Sequence, residues 1–260
     1  MKKEENPCES RAFQEICRSA AAASAHFGML EAGDRVLVGL SGGKDSMLLA
    51  LVLHELQKKA PFPFSLFCAT FDPGFDNLGT EKIAAFAKER NWDFRTVKLD
   101  LGQIIAERHW EKSPCVLCSR LRRGKLSGLA EELHCNKLAL GHHADDLAIS
   151  FWMSVLRGQG ITTMGPNVEA DSGKLRLIRP LATTAEKDIV ECARLFDLPR
   201  AGECRYKEQL ADGDRLFFRH LLAEVEERIP DFRSQMLASL SRVEVEHLLD
   251  LRFLPHRKEK

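Results

Sequence analysis

The chain has 260 residues, 44% of them hydrophobic and 29% charged, with 38 basic residues matched by 38 acidic ones. That length suits one large domain, or a domain with a small appendage, whose core needs no disulfide staple. Zero net charge excludes a generally basic nucleic-acid coat and leaves room for a local basic patch.

In chain order, residues 9 to about 29 predict an alanine-rich helix carrying Phe13, Ile16, Cys17 and Phe27, broken at Gly33-Asp34. Val36 to Leu40 is a short apolar run that reads as a buried strand. Lys44 to Lys59 predicts a helix that Pro61 and Pro63 end, and Phe64 to Phe71 a second strand. Asp72-Pro73-Gly74 is a turn, which is sufficient reason for Asp72. Thr80 to Arg90 follows as an amphipathic helix, Phe94 to Leu99 as a third strand and Ile104 to His109 as a helix. Residues 110 to 118 read as a loop before a helix from about Ser119 to His134. Lys137 to Leu140 is a fourth strand, Asp146 to Leu156 a helix, Leu175 to Ile178 a fifth strand and Thr184 to Phe196 a helix. From about Asp212 the chain is helical and charged, ending in a tail at His256-Arg257-Lys258-Glu259-Lys260. This alternation predicts an α/β fold, a mostly parallel doubly wound sheet covered on both faces, with helical extensions at each end.

The opening MKKEENPCES is polar and no apolar run of secretory type follows. No stretch approaches eighteen uncharged apolar residues. A cytoplasmic protein without a membrane partner is the expectation.

Ser41-Gly42-Gly43-Lys44-Asp45-Ser46 sits between a strand and a helix. Two glycines allow a tight turn and close approach to a ligand. The next helix starts with free N–H groups and the positive end of its dipole, which favour an anion. Lys44 adds a cation, and Ser41 and Ser46 add hydroxyls. Asp45 after the lysine departs from the Walker A pattern, and the dinucleotide fingerprint is absent. The hexapeptide resembles the PP-loop of the N-type ATP pyrophosphatases, a superfamily that includes NAD synthetase, lysidine synthase and several tRNA thiolases. The resemblance implies that Ser41 to Ser46 cradle the pyrophosphate end of ATP with Mg²⁺ alongside, and that AMP is transferred to the substrate.

The chain has eight cysteines, and its length and unsecreted start favour free thiols over disulfides. Cys17, Cys192, Cys68 and Cys135 fall on or beside predicted elements and read as small buried hydrophobes. Cys115-Val116-Leu117-Cys118 offers two metal ligands, and Cys204, in a polar stretch, is the candidate third. Three thiolates suit a [4Fe–4S] cluster with one open iron, or zinc completed by a histidine, and spacing alone leaves both open. Arg120, Arg122, Arg123 and Lys125 follow with no acid among them, as either a solvated helix face or a set of phosphate contacts.

The run Cys115 to Leu126, the segment Leu138-Ala139-Leu140-Gly141-His142-His143-Ala144-Asp145-Asp146, and Ile178-Arg179-Pro180-Leu181 with Glu186-Lys187-Asp188-Ile189 together resemble the tRNA 2-thiocytidine synthetases over about residues 30 to 210. The resemblance implies a [4Fe–4S] cluster on Cys115, Cys118 and Cys204. It also implies a tRNA substrate, a sulfur donor such as a cysteine desulfurase, and a dimer as often found in the family. Two departures stand out. The family's usual Cys-x-x-Cys-Gly around the third ligand is reduced to Cys204 followed by Arg205-Tyr206-Lys207. Its aromatic-Gly-Gly loop is replaced by Arg157-Gly158-Gln159-Gly160, on the substrate side.

Gly141 to Asp146 follows a strand and opens a helix, at the sheet edge where α/β folds place ligands. Asp145 and Asp146 are carboxylates that could orient Mg²⁺ or simply cap the helix. His142 and His143 could touch phosphate or be buried histidines. The expected reaction is adenylation of a cytidine O2 followed by displacement of AMP by sulfur, with Lys44, Arg122 and Asp145 as the catalytic set and Gly141 and His142 beside the nucleotide. An amine-using relative such as lysidine synthase and a non-catalytic nucleotide- and metal-binding regulator are the alternatives. The expected organisation is an N-terminal helical segment over 1–34, the nucleotide domain with the CxxC segment over 35–183, and a C-terminal helical region with the third cysteine over 184–260.

Overall fold

Alternation along β1 (Arg35–Leu40) sets out the layers, because successive side chains of a strand point to opposite faces. Val36, Val38 and Leu40 enter one apolar cluster, and Leu37 enters another with Leu126, Ala130 and Leu138. The computed structural model describes residues 6–74, 79–108, 114–170, 173–199, 202, 214–250 and 252–253. Among them β1, β2 (Ser65–Asp72), β3 (Phe94–Lys98), β4 (Lys137–Ala139), β5 (Asn167–Glu169) and β6 (Arg176–Ile178) form one sheet in the order β3-β2-β1-β4-β6-β5. All neighbours are parallel except β5, which runs antiparallel to β6. The mostly parallel sheet is as expected. The added strand is a correction: Asn167-Val168-Glu169 is too short to show alternation, and pairing with β6 makes it a strand.

The described helices are α1 (Arg11–His26), α2 (Lys44–Lys59), α3 (Thr80–Glu89), α4 (Leu101–Arg108), α5 (Pro114–Glu132), α6 (Ala144–Leu156), α7 (Glu186–Ala193), α8 (Asp214–Arg228) and α9 (Phe232–Ser239). Helices α1, α2 and α7 share the first cluster, where Phe13 meets Phe196 edge to face with ring centroids 5.2 Å apart. Helix α5 covers the opposite face through Leu126 and Ala130. A third cluster joins α6 to α8 and α9 through Ala148, Ile149, Phe218, Leu222 and Met236. Cys17, Cys68 and Cys192 are buried thiols pushed up to about 12 by desolvation, and Cys135 to about 11, as fits small hydrophobes.

Helix α5 begins earlier than the sequence suggests, which corrects the expected loop over 110 to 118. Pro114 suits a first helical position, and Leu117 packs against Leu101 and Ile105 of α4. Cys115 and Cys118 therefore open a helix. Residues 109–113 lie outside the described residues. No described helix is long and apolar enough to cross a membrane.

At the amino ends of β1 and β4, Lys137 and Asp34 form a buried ion pair with 2.6 Å between Nζ and Oδ2, each residue 2% exposed. Asn136 donates to the other Asp34 oxygen at 2.8 Å, so this carboxylate fixes the entry to both strands. Removing it leaves the buried Lys137 ammonium to the exposed Glu31 carboxylate, 3.3 Å away. We expect Asp34→Ala to lose about 3–5 kcal/mol of stability in urea unfolding, and an unchanged midpoint would contradict that role.

Candidate active site

The chain leaves β1 toward β2 on one side and later returns to place β4 on its other side. The gap between β1 and β4 is thus the switch point of the sheet, where neighbouring connections diverge and leave a crevice. Two segments meet there at the carboxyl edge: Ser41–Ser46 after β1 and Gly141–His143 after β4.

The first segment is braced by its own hydroxyls. The Ser46 hydroxyl accepts the Ser41 N–H at 3.0 Å and donates to the Gly43 carbonyl at 3.0 Å. The Ser41 oxygen lies 3.0 Å from it and accepts the Gly43 N–H at 3.3 Å. Gly42 takes φ 78°, the left-handed region that a Cβ disfavours. Gly43 then starts α2 with no side-chain cap, so the helix presents backbone N–H groups toward the crevice. This is the arrangement of an anion cradle.

Gly141 closes the crevice from below. A Cβ there would lie 2.9 Å from the Ser46 nitrogen and 3.0 Å from the Asp45 carbonyl carbon, so only glycine lets the two segments touch. The neighbouring His142 accepts from Arg179 Nε through Nδ1 at 3.3 Å. Burial, aided by the Arg179 charge, lowers its pKa to about 4, so it is neutral at pH 7. Arg179 also donates to the Gly165 carbonyl. His143 is 2% exposed and forms the N-cap of α6.

Around this cradle stands a ring of charge. Lys44 Nζ lies 2.9 Å from Asp45 Oδ1 and 3.1 Å from Glu186 Oε1. Burial works against the Lys44 ammonium, yet its hydrogen bonds to Asp45 and Glu186 outweigh burial and raise its pKa. Burial likewise opposes the Glu186 carboxylate, and the bond from Lys44 with the charge of Arg219 brings its pKa down. Asp145 Oδ2 accepts the Glu186 N–H at 2.7 Å, so it caps α7 rather than its own helix. Asp146 takes the capping alternative for α6, accepting the His143 N–H at 3.4 Å.

Arginines from the C-terminal helices complete the ring: Arg233 lies 3.2 Å from Asp145, Arg215 3.1 Å from Asp146 and Arg219 3.5 Å from Glu186. Sequence reasoning gave these three arginines and Glu186 no role. Glu186 stood in a quoted motif and opens a helix, a usable signal. The arginines lie more than 25 residues beyond it, and no local pattern ties them to the loop.

The thiol side lies beside β2. Arg122 Cζ stands 5.8 Å from the centroid of Phe71, near the carboxyl end of β2, and its Nη2 is 3.6 Å from Cys118 Sγ. Cys118 is half-buried in the first turns of α5. A soft thiol beside a cation fits a ligand of an iron–sulfur cluster, and fits a ligand of zinc as well. The Cys115 side chain and Cys204 lie outside the described residues. Ser41 to Ser46, Gly141, His142 and Asp145 are therefore gathered at one crevice, with Arg122 and Cys118 at the same sheet edge.

Gly141→Ala forces the two crevice walls apart. We expect it to cost about 1–3 kcal/mol of stability and to weaken binding of an anionic ligand at the loop, read by thermal melting and by titration with pyrophosphate; wild-type behaviour in both would contradict the close approach.

The PP-loop domain family matches residues 13–224. The chain is 35% identical over 243 residues to the tRNA-cytidine(32) 2-sulfurtransferase of Syntrophotalea carbinolica, covering 93% of this chain and 94% of that one. It is 37% identical to the protein of the same name from Pelobacter propionicus, covering 92% and 89%. Among solved structures it resembles the U34-tRNA thiolase NcsA from Methanococcus maripaludis with its [4Fe-4S] cluster, with a TM-score of 0.72, 23% identity and coverage of 91% of this chain and 80% of that one. That last likeness is one of fold.

Proposed function

The chain belongs to the PP-loop family and, within it, to the tRNA-cytidine(32) 2-sulfurtransferases, and on that premise we propose that it is an ATP-dependent tRNA sulfurtransferase that replaces the 2-oxygen of a cytidine in the anticodon loop with sulfur. The observation that carries the reading is the crevice itself: an anion cradle at the switch point, closed by Gly141 and edged by Lys44 and Asp145, with a thiol-bearing helix at the same sheet edge.

In this reading Ser41 to Ser46 and the first N–H groups of α2 hold the pyrophosphate end of ATP. The cytidine O2 attacks the α-phosphorus and pyrophosphate leaves. Lys44 balances the negative charge that gathers on the phosphates. Hydrosulfide then adds at C2, and AMP departs with the former O2. Arg122 faces the substrate side and balances charge there. Neutral His142, held by Arg179, presents an uncharged wall next to the nucleotide. Asp145 is the carboxylate that would help to hold Mg²⁺, which would supply Lewis-acid polarisation of the phosphates. Cys115, Cys118 and Cys204 would hold a [4Fe–4S] cluster, which would supply a binding position for the sulfide to be transferred. A cysteine desulfurase is the proposed sulfur source, the cytoplasm the setting, and a homodimer the proposed assembly.

The test is made on protein purified without oxygen. About four irons and four acid-labile sulfides per chain are expected, with loss in Cys118→Ala and Cys204→Ala. Pyrophosphate release that requires tRNA, and 2-thiocytidine in the nuclease digest of that tRNA, are the expected products. Zinc without labile sulfide would sink the cluster assignment. Incorporation of an amine instead of sulfur would transfer the chain to the lysidine synthase type of chemistry, and tight ATP binding with no turnover would make it a regulator.

A further inference from the structure

The rim of the phosphate loop has the wrong charge for its ligand. Lys44 is one ammonium among four carboxylates, Asp45, Asp145, Asp146 and Glu186, all within the same chain of contacts. Left to themselves, these groups carry a formal charge of −3 at the mouth of a site that takes a polyphosphate. Helices α8 and α9 bring in three guanidinium groups, and each goes to a different carboxylate: Arg215 to Asp146, Arg219 to Glu186 and Arg233 to Asp145. Helix α8 is set against α6 by Phe218 and Leu222, and α9 by Met236. With 3.6 residues per turn, Arg215 and Arg219 share a helix face next to the one that Phe218 and Leu222 bury. Arg233 is further fixed by Glu226 of α8, 3.2 Å from its Nη1. The packing of these helices therefore aims three cations at one rim.

We propose that the α8–α9 pair is a charge-compensating element of the nucleotide site, whose Arg215, Arg219 and Arg233 neutralise the acidic rim so that ATP can approach Lys44, with the Lys44–Glu186–Arg219 chain as the exchange point. On ligand arrival, Lys44 turns from Glu186 to phosphate, and Glu186 keeps Arg219 as its partner. The three arginines are positioning residues: they act on the carboxylates and not on the reacting atoms. The inference rests on the reading of the loop as an ATP site.

The experiment measures binding of Mg-ATP to the full chain by titration calorimetry, at low and high salt, for wild type, Arg219→Ala, Arg219→Lys, and Arg219→Ala combined with Glu186→Gln. Arg219→Ala is expected to weaken binding about three- to tenfold at ~0.05 M salt and less at ~0.5 M salt, because an exposed charge acts through a screened field. It is also expected to need more Mg²⁺ for half-maximal binding, since the metal must then neutralise the rim. Arg219→Lys keeps the charge and most of the affinity. Glu186→Gln in the Arg219→Ala background removes the uncompensated carboxylate and is expected to restore binding, which damage to the packing of α8 would not allow. Wild-type affinity and Mg²⁺ dependence in Arg219→Ala, or no recovery in the double variant, would overturn the inference while leaving the ATP site standing. Failure of the wild-type chain to bind Mg-ATP at all would overturn the reading of the loop, and this inference with it.

Discussion

The close approach of Gly141 to the backbone of Asp45 and Ser46 is the constraint on which the site depends. It is a contact between the exits of two adjacent parallel strands, and it exists because β1 and β4 are paired with Val36, Leu37 and Val38 opposite Lys137, Leu138 and Ala139. Moving β4 by one residue would turn Leu138 out of its cluster and carry Gly141 away from the helix start. The buried Lys137–Asp34 pair at the other end of the same two strands holds that register. Backbone packing at one edge and a desolvated ion pair at the other thus act on a single strand interface.

Once the crevice is formed, its electrostatics are set by groups drawn from distant parts of the chain. Lys44 comes from the first turn of α2, Asp145 from the first turn of α6, Glu186 from the start of α7, and the arginines from α8 and α9. Asp145 caps α7 through the Glu186 N–H. One short hydrogen bond thereby ties a carboxylate of the crevice rim to the helix that carries the partner of Lys44. The charges are interlocked in pairs rather than free, so a ligand that takes one member changes the environment of the next.

The parts of this arrangement that are local in sequence were legible from it. A glycine-rich loop between an apolar strand and an aliphatic helix needs only six consecutive residues to be recognised, and the alternation of strands and helices needs only hydrophobic periodicity. The buried state of Cys17, Cys68, Cys135 and Cys192 followed from the elements around them. What was missed is what tertiary context decides. Asn167-Val168-Glu169 becomes a strand only because β6 is beside it. The first turn of α5 forms at Pro114 because Leu117 finds Leu101 and Ile105, and this moved Cys115 and Cys118 from a loop to a helix. The arginines of α8 and α9 read as ordinary surface charges until the packing on α6 points them at the rim. The third cysteine, Cys204, lies outside the described residues.

The two borders of the sheet bear on how copies of this chain can meet. At one border β3 carries Arg95, Thr96 and Lys98 exposed, and at the other β5 is three residues long, with Asn167 donating to the carbonyls of Phe27 and Gly28. Exposed cations on a border strand, and a border too short to template another, both resist the addition of a foreign strand. Neither border invites a continuous sheet across two molecules.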